Sequence, residues 1–350
     1  MTPEQIVDHV ARRVPDRTVQ GAPERLEGGL LNEVWRMPAL PAPIIVKHAP
    51  PYMATAPEWP LDPRRLLFEA RSLQVLGRGG TLTGVAFAAA RPPRLIDLDL
   101  EAFILVMEDV GDLTDLANHL RFGGSGVRAG SYLGAFIGAL HRESFGRDDL
   151  AEAFQNLDIQ RTRLNLQYRA VEALCRRVGL ADAEALGQRV VQMGERLLEP
   201  GACLLQGDLW PASVLVAPLG LRIIDWEFAH FGSPAQDVGH LAAHLWMLAQ
   251  RAPDVDGTAE ALAMNERFLE AYAAAIEPVH DVLWTPWVLE AAALHFGAEI
   301  LIRTVGAFQA GFLYEGLTLE APDVQEAIAV AAAHLREPAG VETFEHLRFP

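Results

Sequence analysis

Two carboxylates and a hydroxyl lie close together in the chain. Leu204-Leu205-Gln206-Gly207-Asp208 runs from an apolar, strand-like segment into a Gly-Asp turn, and Pro211 and Ser213 follow. Val214–Val216 leaves as a second strand, and a third, Leu221–Ile224, ends on Asp225-Trp226-Glu227. Both aspartates are therefore expected on turns at strand ends, supported by a hydrophobic hairpin. Asp208 and Ser213, five residues apart across the turn, could face one pocket. Two acids at a cleft suit a magnesium–phosphate centre, because hard cations take oxygen ligands and keep them ionised. Read singly, Asp208 is also a turn aspartate capping an amide, and Asp225 a strand-end ion-pair partner. Their spacing within one hairpin is what points to chemistry.

The amino-terminal half offers matching groups. Lys47 closes the β-rich run Ile44–Lys47, so its ammonium is expected to emerge from a rigid strand. A helix is expected from about Pro63 to Leu76, with Gly77 as its stop. Within it Glu69 lies three residues after Leu66 and four before Leu73, on the apolar face, where an unpaired charge would be costly. The pairing expected is Lys47–Glu69, against the alternative of Glu69 with Arg65 or Arg71. Gly28-Gly29-Leu30-Leu31-Asn32 precedes the strand Glu33–Met37 and could cover phosphates with backbone amides, or be an ordinary turn.

An Asp followed five residues later by a polar side chain, with a second Asp beyond, approaches the spacing of kinase catalytic loops. On these residues the chain resembles the aminoglycoside phosphotransferase and choline kinase superfamily, over about residues 20 to 310. Members carry His-Gly-Asp-x-x-x-x-Asn and then Ile-Asp-Trp-Glu; here stand Gln206-Gly207-Asp208, then Ser213, and Ile224-Asp225-Trp226-Glu227. The resemblance implies a protein-kinase-like fold and transfer of the γ-phosphoryl group of ATP (or GTP) to a hydroxyl of a small molecule. Asp208 would then orient or deprotonate the acceptor, while Asp225, with Ser213, would hold Mg2+. Lys47, paired with Glu69, would steady the phosphates. Gly28, Gly29 and Asn32 would cover them, and the strand exit at Glu108 and Val110 would meet the base. Trp210, Glu227 and Arg303 are candidates for the acceptor wall. Gln206 and Ser213 depart from the pattern, which raises the alternative of a catalytically impaired nucleotide-binding or regulatory protein. Ser213 and the stretch Gly297–Gly306 also echo the methylthioribose kinase branch, although Ile302 stands where one of its substrate-clamping Arg pair would be.

The elements expected around these residues form an α+β, two-lobed arrangement. Residues 1–110 make a small β-rich lobe and 111–350 a larger, mainly helical one. A helix is expected over 4–14, strands at Glu33–Met37, Ile44–Lys47 and Phe103–Met107, and a proline-rich loop over Pro50–Pro63. Helical periodicity then covers Leu133–Leu140, Ile159–Val178, Ala183–Leu198, Val238–Arg251, Ala259–Ala275, Trp287–Gly306 and Ala321–Leu335. His141 and Asp237 read as structural. His240 and His244 have helical spacing but lack the Glu of a zincin motif, and no Gly-x-Ser-x-Gly elbow is present. Half the residues are apolar and 21% charged, as in an ordinary soluble protein. The formal charge of −17 disfavours nucleic-acid or anionic-membrane binding. Two cysteines outside any CxxC pair, no signal-like start and no long apolar run lead to the expectation of a cytoplasmic protein.

Overall fold

A computed structural model gives the fold and describes residues 1–26, 31–86 and 89–347. The amino-terminal half is built on a five-stranded antiparallel sheet. Its strands are β1 (Glu24–Leu26), β2 (Glu33–Met37), β3 (Ile44–His48), β4 (Leu95–Asp99) and β5 (Ile104–Glu108), in spatial order β1-β2-β3-β5-β4. Side chains alternate across a strand, so Ile44, Val46, Ile104 and Val106 share one face while Ile45, Leu105 and Met107 share the other. Helix α1 (Pro3–Arg13) covers the first face with Ile6 and Val10; it begins on the Thr2 cap with Pro3 in its first turn. Helix α2 (Arg65–Leu76) covers the second with Leu66, Ala70 and Leu73. A strand covered on both faces reads as a continuous apolar run, which is how Ile44-Ile45-Val46 stands in the sequence. The same alternation places Lys47 on the α2 face, beside Ile45.

The stretch expected as a proline-rich loop contains a small hairpin, Tyr52–Met53 against Ala56–Pro60. Two strands alone leave both outer edges unpaired, so Pro57 and Pro60 are tolerated there.

The carboxyl-terminal half is mainly helical. Helices α3 (Gly126–Ser144), α4 (Leu157–Arg163), α5 (Ala235–Gln250), α6 (Val255–Ile276) and α7 (Pro286–Thr304) pack around a small set of strands. Gly126, Gly130, Gly134 and Gly138 repeat every fourth residue along α3. A Cβ on Gly130 would lie 2.5 Å from the Met264 carbonyl oxygen, and one on Gly134 2.3 Å from that of Phe268. This row lets α3 and α6 meet backbone to backbone, so neither glycine can carry a side chain without separating the helices. The single helix expected over Ile159–Val178 is broken: α4 stops at Arg163, a π turn spans Leu164–Tyr168, and a new helix runs over Val171–Arg177.

Strands β6 (Cys203–Leu205), β7 (Val214–Ala217), β8 (Gly220–Ile223) and β9 (His230–Gly232) carry the aspartate turns. β7 and β8 form the expected hairpin, and β6 pairs with β9, a strand too short to show alternation. Ala90–Arg91, which precedes residue 110, pairs in parallel with β8. Among the described residues no helix is long and apolar enough to cross a membrane.

Candidate active site

β6 delivers the chain to Gly207, where φ is +86° and a Cβ would stand 2.1 Å from the Phe228 carbonyl oxygen. Only glycine fits such a turn. Asp237 on α5 braces it, accepting from the amides of Gln206 at 2.8 Å and Gly207 at 2.9 Å. Gln236 Nε2 donates to the Gly207 carbonyl at 2.7 Å. His141, also buried, lies 3.3 Å from Asp237 and 2.9 Å from the Tyr272 hydroxyl, so its place is structural too. Gln206 ties the two aspartate turns together. Its Oε1 accepts from the Asp208 amide at 2.8 Å, and its Nε2 donates to the carbonyls of Ile224 at 3.1 Å and Asp225 at 2.9 Å. Ser213 is fully buried, and its hydroxyl donates to the Trp210 carbonyl at 2.8 Å while receiving the Trp210 amide at 3.3 Å. So short a side chain satisfies its own turn, and this placement gives no support to the expected role of Ser213 as a metal ligand.

On the other side of that junction stands a buried charge cluster. Lys47 Nζ lies 2.9 Å from Glu69 and 2.5 Å from Asp225 Oδ1. Arg65 and Arg71 do not take Glu69: Arg65 Nε pairs with Glu227 at 2.9 Å, and Arg71 donates to the Ala153 carbonyl. Asn32 joins the second pair, donating to Glu227 Oε1 at 2.9 Å and accepting from Arg65 Nη2 at 2.9 Å. Asn32 is buried as a bridge between Arg65 and Glu227. Glu227 is equally buried and faces Arg65 of α2, a placement that gives no support to its expected part in an acceptor wall. The cause is local: Asp225 takes a left-handed conformation (φ 58°), and the Trp226 indole N–H anchors the following turn on the Ile223 carbonyl at 2.9 Å. Asp225 and Glu227 then face Lys47 and Arg65.

Burial pulls the Lys47 ammonium down, but Asp225 and Glu69 outweigh it and hold it well above the ordinary lysine range. Burial pushes the Glu69 carboxyl up; Lys47 opposes this, while Asp225 and Glu227 add to the rise. Glu227 is raised in the same sense, by burial first, against Arg65. Three carboxyls thus face two cations, and with all three ionised the surplus is one negative charge. Of the three, Asp225 is the accessible one, with 42% of its side chain exposed. An accessible carboxylate backed by uncompensated negative charge fits a hard divalent cation.

The opposite side holds Asp208, whose Oδ1 accepts from Arg163 Nη2 at 2.7 Å. Trp210 packs on His244 and Phe312, with ring centroids 5.5 and 6.4 Å away. The Arg303 guanidinium lies 5.0 Å from the Trp210 ring and 5.2 Å from that of Phe312, and its Nε donates to Glu299 at 2.8 Å. Trp210 and Arg303 are therefore brought together, with Trp210 two residues along the chain from Asp208. Ile302, the neighbour of Arg303, is buried in the core. His244 is bonded to Glu299 at 3.0 Å, and burial lowers His240 to about 3, leaving it neutral.

Gly28 and Gly29 lie outside the described residues. Glu108 spends its carboxylate on Arg91, at 2.8 and 2.9 Å, and on the Arg94 amide at 3.0 Å, so only its main chain remains for a ligand; Val110 is half-buried just beyond. Two residues escaped the sequence reading as site residues. Arg65 is one helical turn before Glu69, a spacing that marks it as inward-facing. Arg163 gave no such signal inside an apparently unbroken helix.

Taken together, the site places an ammonium between two carboxylates on one side of a shared loop and a second aspartate on the other. That suits a cation-bound anionic group on the first side and a hydroxyl on the second. Residues 23–281 match the phosphotransferase enzyme family. The 4-hydroxytryptamine kinase of Psilocybe cyanescens is 24% identical over 320 residues, covering 82% of this chain and 87% of that protein. The methylthioribose kinase of Exiguobacterium sibiricum is 27% identical over 368 residues, covering 93% and 90%. The choline kinase structure of Cryptosporidium parvum aligns with a TM-score of 0.54 at 12% identity, over 96% of this chain and 95% of that one, a likeness of fold. With a family match across most of its length and a site of this geometry, the chain belongs to the phosphotransferase enzyme family and is a phosphotransferase acting on a small molecule.

Proposed function

We propose that the donor is ATP (or GTP) and that its γ-phosphoryl group passes to a hydroxyl oriented or deprotonated by Asp208. The observation that carries this reading is the double role of Gln206, which binds the Asp208 and Asp225 turns into one unit, while Lys47 bridges Asp225 and Glu69. Lys47, immobilised by Glu69, would steady the donor phosphates. Asp225 would hold Mg2+, which when bound neutralises charge developing on the phosphate oxygens. Catalysis of this type is mostly positioning and charge stabilisation, and a rigid loop serves it well. Gln206 and Ser213 both complete hydrogen bonds of that loop, which supports turnover over an idle nucleotide site.

The acceptor wall of Trp210, Arg303 and Phe312 suits a flat or apolar body with a polar group directed to Arg303. Arg163 and Arg303 balance Asp208 and Glu299, so the overall charge of −17 does not carry into this pocket as a pull on polycations. The test is Asp208→Asn, assayed for ATP-dependent phosphorylation of 4-hydroxytryptamine and methylthioribose as probe acceptors. Loss of about 10³-fold in kcat with ATP affinity retained is expected for removal of the acceptor-side carboxylate. Normal turnover in that variant would overturn the assignment.

A further inference from the structure

We propose that Arg163 is the positioning residue for Asp208, and that a buried hydrogen-bond chain through His240 and Tyr168 to His295 holds it there. The proposal rests on the reading of Asp208 as the acceptor-side carboxylate.

It starts from the break in the helix. Arg163 ends α4, and the next five residues form the π turn Leu164–Tyr168. A π turn is wider than an α turn and concentrates at functional sites. Here it sends Arg163, Gln167 and Tyr168 all inward; their exposures are 7%, 4% and 0%. The guanidinium lies 4.9 Å over the Phe228 ring and donates from Nη2 to Asp208 Oδ1 at 2.7 Å. From Nη1 it reaches His240 Nδ1 at 3.3 Å and Gln167 Oε1 at 3.4 Å.

Arginine has no acceptor atom, and that sets the direction of the whole chain. His240 Nδ1 must accept, so the proton of the neutral ring sits on Nε2 and is donated to the Tyr168 hydroxyl, 3.2 Å away. The Tyr168 O–H is then free to donate to His295 Nδ1 at 2.8 Å. Gln167 passes the same framework to Glu299, the partner of Arg303. One scaffold therefore reaches both the carboxylate and the acceptor wall.

Burying a guanidinium is costly, and a partly exposed aspartate needs no such partner for stability, since water would serve it. What the pairing adds is orientation. Oδ1 is committed to Arg163, and Oδ2 is left for the acceptor hydroxyl. As the acceptor oxygen bonds to the γ-phosphorus and the bond to the leaving diphosphate breaks, the hydroxyl proton passes to Oδ2.

The experiment uses the full chain with R163K, R163M and Y168F, following phosphorylation of 4-hydroxytryptamine and methylthioribose and the slow hydrolysis of ATP by water. A carboxylate displaced by an ångström costs about 10²-fold, so R163M should lose about that in kcat with the KM for ATP unchanged within about twofold. R163K, which keeps the charge but not the fork, should recover part of the loss. Y168F, a milder change that carries the test if R163M does not fold, should lose about 3- to 10-fold by the same loosening. Folded R163M with wild-type kcat, or a loss shared equally by kcat and ATP binding, would overturn the proposal. A readout without turnover separates it from the functional reading. Nitrogen-15 NMR of the histidines should show His240 as the Nε2–H tautomer, whereas an Nδ1–H ring would contradict the chain. If the wild type neither phosphorylates a probe nor hydrolyses ATP, the reading of Asp208 as the acceptor-side carboxylate fails, and the NMR result still tests the hydrogen-bond chain to Arg163.

Discussion

The two sides of the shared loop solve opposite electrostatic problems. Around Lys47, three carboxylates crowd two cations, and the excess negative charge is exposed only at Asp225. Around Asp208, two arginines match two carboxylates, and the remaining polar groups are neutral histidines, tyrosine and glutamine. With its carboxyls ionised the first side carries a net negative charge; the second is balanced and held stiff by hydrogen bonds. A site that recruits a metal–phosphate complex by charge and an acceptor by shape and orientation would be divided in this way.

The largest effect should come from breaking the charged side. Lys47→Met strands Glu69 and Asp225 without their cation, and removal of one partner of a buried pair costs about 3–5 kcal/mol. Denaturant unfolding should show that loss, and nucleotide binding should go with it. Next is the loop joining the two sides. Gly207→Ala forces a Cβ onto the Phe228 carbonyl in a left-handed turn, at a cost of at least about 1–2 kcal/mol from the backbone conformation alone; kcat should fall with both substrates bound less well. Arg303→Met should act on the acceptor side alone, raising the KM for a probe acceptor about 10-fold, the worth of about one charged hydrogen bond, with the KM for ATP unchanged.

The sense of the pH dependence separates the two sides independently of any of these variants. The Glu69 carboxyl is raised from its ordinary 4.5 to about 7, so across that window the folded chain binds the proton that the unfolded chain has lost. Stability from this group declines as pH rises through the window. Wild type should therefore lose melting temperature relative to Glu69→Gln between about pH 5 and about pH 7. His240 has the opposite sign. Lowered from 6.5 to about 3, it stays neutral when folded and takes a proton when unfolded, so its stabilisation is lost as pH falls below 6.5. His240→Gln should flatten that acid limb, as thermal melts over the same range will show.

The pairing of Lys47 with Glu69 was legible because two local periodicities coincide. Strand alternation fixes which face Lys47 takes, and helix spacing turns Glu69 to meet it. The hairpin bearing Asp208 and Asp225 was equally legible, since its strands are apolar runs punctuated by Gly, Pro and Asp. Asn32, Arg65 and Glu227 were not, because their partnership joins three segments far apart in sequence and depends on the left-handed turn at Asp225. The π turn after Arg163 was invisible for a different reason: its residues keep good helical composition, and only tertiary packing selects the wider turn. The glycine row of α3 has a plain four-residue spacing, but its meaning appears only against α6. The hairpin at Tyr52–Pro60 was hidden by prolines that an unpaired edge accommodates.

If Asp225 is to complete a magnesium–nucleotide site on the under-neutralised side of the loop, a thermal-shift titration with ATP, with and without Mg2+, on wild type and Asp225→Ala will reveal it. The expected result is stabilisation that requires Mg2+, about 2.7 kcal/mol at a hundredfold excess over Kd, and disappears in Asp225→Ala. An equal shift without the metal, a shift that survives the substitution, or no shift in the wild type would contradict it.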